Sequence, residues 1–139
     1  MTANTSQRFL GIDYGAKRVG LAVADGASRI ATPLTVLGVV GKIPIVIAKE
    51  VATIAIKENV SKIIVGESKD FKGVDNLIMK KVRAFATALA EEVGARAAVI
   101  FEPEFMTTQQ AEQLQGKHYL IDSSAAALIL QSYLDRNLL

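Results

Sequence analysis

Residues 11–25 read GIDYGAKRVGLAVAD, and the reading of this stretch decides the fold. Two apolar runs, residues 8–13 and 18–24, are joined by the turn-like Tyr14-Gly15-Ala16-Lys17. In the second run Val19, Leu21 and Val23 alternate with small residues. That period of two predicts a strand with one covered face. Residues 29–37 (RIATPLTVL) predict a third strand, and Pro33, which has no N–H to donate, assigns it to a sheet edge. Three strands so closely spaced predict an antiparallel meander.

Downstream the period changes. Ile43, Ile47, Val51 and Ile54 share one helical face, with Pro44 tolerated in the first turn. Residues 62–66 (KIIVG) are a short β-branched run leading into the loop composition GESKDFKG at 66–73. Asp75 is placed to cap a second helix whose face carries Ile78, Val82, Phe85, Leu89 and Val93, and Gly94 stands where that helix should end. Residues 97–101 predict a fifth strand. Thr107 with Gln110 is a capping-box signal for a short helix. Asp122 is placed to cap the last helix, which carries Leu128, Ile129, Tyr133 and Leu134. The order is β-β-β-α-β-α-β-α-α. It predicts one α/β domain over residues 1–139, with a five-stranded mixed sheet flanked by helices. The first three strands are antiparallel and the last two parallel, because helical crossovers return the chain in one direction.

Composition narrows the function. Half of the residues are hydrophobic and 22% are charged, as in a globular domain. The net charge of +2 permits a polyanionic partner, and a local basic patch matters more than this total. The absence of cysteine excludes disulfides and thiolate metal sites. The opening MTANTSQRF has no apolar core of a signal peptide, and no run is long enough to span a bilayer. A cytoplasmic protein without membrane contact is expected, and monomer and homodimer both fit.

Asp13 stands near the end of an apolar strand, where an acid is costly to bury unless it is paired or binds a cation. Turn chemistry explains such an aspartate, and so does ligation of a hard cation such as Mg²⁺, which takes one or two carboxylates and leaves sites for water and phosphate. Phosphodiester cleavage by two metals requires further carboxylates near Asp13. Glu67 at the end of the fourth strand, Glu104 after the fifth and Asp122 at the start of the last helix are the candidates. Lys17 and Arg18 in the first hairpin, and Lys69 and Lys72 in the later loop, are candidates for phosphate contacts, and Phe71 between the two loop lysines for stacking on a base. His118, the one histidine, reads as a solvated loop side chain. No Ser-His-Asp set or zinc spacing can be assembled, which removes acyl transfer and zinc hydrolysis.

The stretch GIDYGAKRVGLAVAD resembles the opening motif of the YqgF (RuvX-like) family, and residues 121–134, IDSSAAALILQSYL, resemble its closing helix. The resemblance spans nearly the whole chain. It implies an RNase H-like fold and a Mg²⁺- or Mn²⁺-dependent nuclease. Precursor 16S rRNA is the first implied substrate and a four-way DNA junction the second. The family's first and last aspartates match Asp13 and Asp122. Its middle acid, in an Asp-Glu-Arg-x-[Ser/Thr]-Thr motif, matches Glu104, where this chain reads Pro103-Glu104-Phe105-Met106-Thr107-Thr108. Pro103 and Phe105 replace the motif's aspartate and arginine, which removes a bidentate phosphate contact. The usual Gly-Leu-Pro after the fourth strand is Gly66-Glu67-Ser68 here. Related resolvases carry a metal-binding acid after that strand, so Glu67 is expected to join or replace Glu104. A nucleic-acid-binding module without catalysis is the alternative raised by the altered Glu104 region. An actin-like kinase would need a second half that 139 residues do not supply.

Overall fold

Strand β1 (Arg8–Tyr14) takes the centre of the sheet because it is apolar on both faces: Phe9, Leu10 and Ile12 are fully buried. β2 (Arg18–Asp25) returns antiparallel to it, with Asp13 opposite Gly20 and Tyr14 opposite Val19. β3 (Thr32–Gly38) pairs antiparallel with β2 and forms one edge. On the other side of β1 lie β4 (Lys62–Glu67) and then β5 (Ala98–Pro103), both parallel to it. The order across the sheet is β3-β2-β1-β4-β5. This is the expected meander followed by two parallel strands. The computed structural model describes residues 7–67, 77–103 and 121–137, with the side chains of 121–124 excepted.

Helices cover both faces. α1 (Pro44–Lys57) and α2 (Leu77–Val93) pack on each other and against Leu10, Ile12, Ile63 and Val65. Among the described helices, α3 (Ile121–Asn137) covers the other face, burying Ala126, Ile129, Leu130, Tyr133 and Leu134 against Phe9, Ala22 and Ile64. Each fully buried large apolar side chain contributes about 1.5–3 kcal/mol, so the two layers together hold the sheet. α2 ends before Gly94, whose φ of +57° is the left-handed conformation expected there. Among the described residues no helix is long and apolar enough to cross a membrane.

Several boundaries differ from expectation, each for a local reason. The third strand starts at Thr32 rather than residue 29, because residues 26–28 form a turn closed by Arg29. Asp25 Oδ1 accepts the Ser28 N–H at 2.7 Å, the Asp25 carbonyl accepts the Arg29 N–H at 3.0 Å, and Arg29 has a φ of +58°. Pro33 lies on the edge strand as expected, and the β2–β3 register shifts beside it. Ile43 is an exposed residue before α1 rather than part of its buried face. β5 runs on to Pro103, which an edge strand tolerates. The last helix begins at Ile121, so Asp122 lies inside its first turn rather than ahead of it. The Asp75 cap and the short helix at Thr107–Gln110 fall outside the described residues.

α3 approaches the sheet most closely at two glycines. A Cβ on Gly11 would lie 2.7 Å from Leu130 Cβ and 2.8 Å from the Ala126 carbonyl oxygen. On Gly66 it would lie 2.5 Å from Ile129 Cδ1. The first clash is with the body of the helix and the second with the flexible end of a side chain. Gly11→Ala is therefore expected to destabilise the fold by about 2–3 kcal/mol and Gly66→Ala by about 1 kcal/mol, the range found for overpacked cores. Urea unfolding of the two variants against the wild type measures this order.

Candidate active site

The direction of α3 brings the positions of Asp13 and Asp122 to one end of the sheet. Phe9 on β1 meets Tyr133, with ring centroids 6.3 Å apart, while Gly11 lies under Ala126 and Leu130. Forward along β1 is thus backward along α3. The next residue on this face of β1 is Asp13, about 6.8 Å beyond Gly11. One turn back from Ala126 is Asp122, about 6 Å along the helix axis. The first turn of α3, carrying Asp122, is therefore level with the strand end carrying Asp13.

The remaining candidates distribute around this end. Asp13 is half-buried on β1, and Lys17 and Arg18 are exposed in the adjoining hairpin, which closes through a Gly15 N–H to Arg18 carbonyl bond of 2.8 Å. Pairing of Ile12 with Val65, continued by one residue, sets Asp13 level with Gly66. Gly66 faces α3, so alternation assigns the half-buried Glu67 to the opposite face with Ile63 and Val65. Asp13 and Glu67 thus share an end of the sheet but not a face. Glu104, Lys69, Lys72, Phe71 and His118 lie outside the described residues. Among the described residues no group of three or more His, Cys, Asp or Glu gathers to hold a metal.

A further acid escaped the sequence reading. Glu102 on β5 is level with Gly66 and only 2% exposed. The Ser132 hydroxyl donates to its Oε2 at 3.0 Å, and the Arg136 guanidinium donates to its Oε1. Ser132 and Arg136 are one helical turn apart on α3, so the pair grips a single carboxylate. The signal was present in AVIFEP, because an acid closing an apolar strand must find partners just as Asp13 must. On the far side of the sheet Gln131 accepts from the Ala31 N–H and donates to the Arg29 carbonyl, each at 2.9 Å. The helix that carries Asp122 is therefore fastened to β5 on one flank and to the β2–β3 connection on the other.

Tyr14, next after Asp13, turns to the α1/α2 face and packs on Phe85 with centroids 4.9 Å apart. Burial pushes its phenol above the ordinary tyrosine value, so the hydroxyl keeps its proton at neutral pH.

Comparison with known proteins follows the same outline. The model of the RuvX family, described as Holliday junction resolvase, matches residues 7–136. Two bacterial proteins, each named "Putative pre-16S rRNA nuclease", are similar over most of the chain. The one from Caldanaerobacter subterraneus subsp. tengcongensis is 36% identical, covering 92% of this chain and 96% of its own length. The one from Syntrophus aciditrophicus is 34% identical, covering 92% of this chain and 88% of its own. Among solved structures, Thermus thermophilus RuvC in complex with a Holliday junction substrate superposes with a TM-score of 0.65 at 18% identity, covering 95% of this chain and 96% of RuvC. The fowlpox virus Holliday junction resolvase gives 0.57 at 14% identity, covering 94% and 99%. The fold is RNase H-like, of the RuvC type.

Removing Arg136 would leave Glu102 buried with the Ser132 hydroxyl as its described partner. Breaking a buried pair costs about 3–5 kcal/mol, and the half-exposed guanidinium lowers this to about 2 kcal/mol for Arg136→Ala. The shift of the urea midpoint checks it, with Arg136→Lys expected to recover part of the loss.

Proposed function

The chain belongs to the YqgF, or RuvX, family, and from that premise we propose that it is a divalent-metal-dependent nuclease centred on Asp13 and Asp122. The observation that carries this reading is the level alignment of the first turn of α3 with the end of β1, since it gives two aspartates a common end of the sheet.

The donor chemistry fits a hard cation. Asp13, Asp122, Glu67 and Glu104 offer oxygen alone, there is no cysteine, and the single histidine is not among them. Oxygen-only sets suit Mg²⁺ or Mn²⁺. Such an ion, when bound, supplies charge neutralisation at the phosphate and makes the attacking water more acidic. Asp13 and Asp122 hold it. The exposed Lys17 and Arg18 offset the charge of flanking phosphates beside Asp13, and Lys69 and Lys72 are assigned the same role from the sequence alone. Glu104 is the third ligand by family analogy, and the opposite-face position of Glu67 weighs on the same side. The clamp on Glu102 and the bonds of Gln131 hold α3, the helix that carries Asp122, against the sheet.

The substrate we assign first is precursor 16S rRNA, cut during ribosome biogenesis in the cytoplasm, on the strength of the names of the bacterial relatives. A four-way DNA junction is the second, supported by the family description and by the RuvC likeness in fold. A binding module without catalysis is the remaining reading, motivated by Pro103 and Phe105 beside Glu104.

Cleavage of a labelled precursor rRNA end and of a four-way junction, with and without Mn²⁺, tests the proposal. Wild type is expected to cut the RNA in Mn²⁺. Asp13→Asn and Asp122→Asn are expected to fall to the level of the protein-free control. Glu104→Ala is expected to lose activity and Glu67→Ala to keep most of it. Binding without cleavage by the wild type would make the chain a binding module instead.

A further inference from the structure

Across the sheet end from Asp13, on the α1/α2 side, lies a cavity of about 270 Å³. Tyr14 and Gly15 form its floor beside the hairpin, Val40, Gly41, Lys42 and Ile43 form one wall, and Lys81 of α2 reaches it from the other. Its position, charge and apolar wall all bear on one class of ligand.

Position comes first. Tyr14 follows Asp13 directly, so the cavity and the candidate metal site are separated only by the thickness of the sheet end. A nucleic-acid strand with its scissile phosphate at Asp13 would pass the β1–β2 hairpin before reaching this cavity. The wall is also fixed to that hairpin: the Val39 N–H donates to the Lys17 carbonyl at 3.0 Å, and the Lys42 N–H to the Val39 carbonyl at 3.0 Å.

Charge and apolar surface complete the case. Lys42 and Lys81 come from separate elements, and no acid is among the described residues that line the cavity, although Glu67 stands on the same face level with Tyr14. The Lys42 ammonium does meet the Glu50 carboxylate, at 2.9 and 3.1 Å. Such an exposed pair is worth little and yields to a phosphate. Val40 and Ile43, 78% and 61% exposed, stand beside these ammonium groups. Two exposed β-branched side chains next to two cations match a base face and its phosphate. The volume falls just below that of a drug-sized site, which suits a single nucleotide.

We propose that this cavity is a subsite for one unpaired nucleotide flanking the scissile phosphate. Lys42 and Lys81 take its phosphate, and Val40 and Ile43 take its base. The inference rests on the nuclease reading and adds to it a demand for single-stranded character beside the cut.

The test uses the full chain carrying Asp13→Asn, so that substrate is bound but not cut. Fluorescence anisotropy compares a single-stranded RNA with a blunt RNA duplex over a salt series. Adding Lys42→Gln and Lys81→Gln is expected to weaken single-strand binding about tenfold and to lower the salt slope by about 0.7, the value for one phosphate on a single strand. Ile43→Ser is expected to weaken single-strand binding about fivefold and leave duplex binding unchanged. Lys57→Gln, at the far end of α1, is the control and is expected to change neither. All four positions are exposed, and far-UV circular dichroism verifies the fold. If the chain binds RNA but the cavity variants bind like the parent, the subsite is wrong and the nuclease reading stands. If the parent binds no nucleic acid and wild type cuts none, both fall together.

Discussion

Helix α3 lies directly on the sheet because Gly11 and Gly66 present no side chain to it, and the placement of the candidate site follows from that approach. A Cβ at Gly11 would press on the helix backbone at Ala126, so the separation of helix and strand is set by hydrogen atoms alone. Close packing of this kind has little tolerance, since interiors are filled to crystal density. Any displacement of α3 at its middle is carried to its first turn, where Asp122 stands. The height of the first turn of α3 over the sheet is therefore set at Gly11 and Gly66.

Polar contacts supply the direction that packing alone lacks. Apolar surfaces slide, whereas the Glu102 carboxylate accepts from Ser132 and Arg136 at defined angles, and Gln131 makes two bonds to the turn beyond β2. These anchors lie on opposite flanks of α3 and oppose its rotation about its own axis. They lie in its second half, away from Asp122, so they orient the candidate site without occupying it. The opposite face is built differently: α1 and α2 pack on each other, and the cavity beside Tyr14 opens where their layer meets the hairpin.

Much of the architecture was legible in the sequence. The alternation of Val19, Leu21 and Val23, the edge placement of Pro33 and the helical face from Val82 to Val93 reappear as read. Short-range periodicity reports these features because each is a local response to having one covered face. The misplacements are also physical. The sequence reads residues 29–31 as strand, but the Asp25 carbonyl takes the Arg29 N–H, the Ser28 hydroxyl that of Ile30 and Gln131 that of Ala31, and Arg29 adopts a positive φ that no periodicity reports. Ile43 fits the spacing of α1 but precedes its first turn, where it is left exposed.

The sequence by itself determined the order of the strands along the chain, the described helices and the family, and it singled out Asp13 as a candidate, because each is written in local pattern or in contiguous motifs. Only the tertiary structure decided that Asp13 and Glu67 lie on different faces. Alternation is a property of one strand, but the face on which it begins is chosen by the helix that covers it. Gly66 turns toward α3, and that assigns Glu67 to the side away from Asp13. Glu102 shows the same limit, since its partners stand 30 and 34 residues later and only the packing of α3 across β5 brings them within reach.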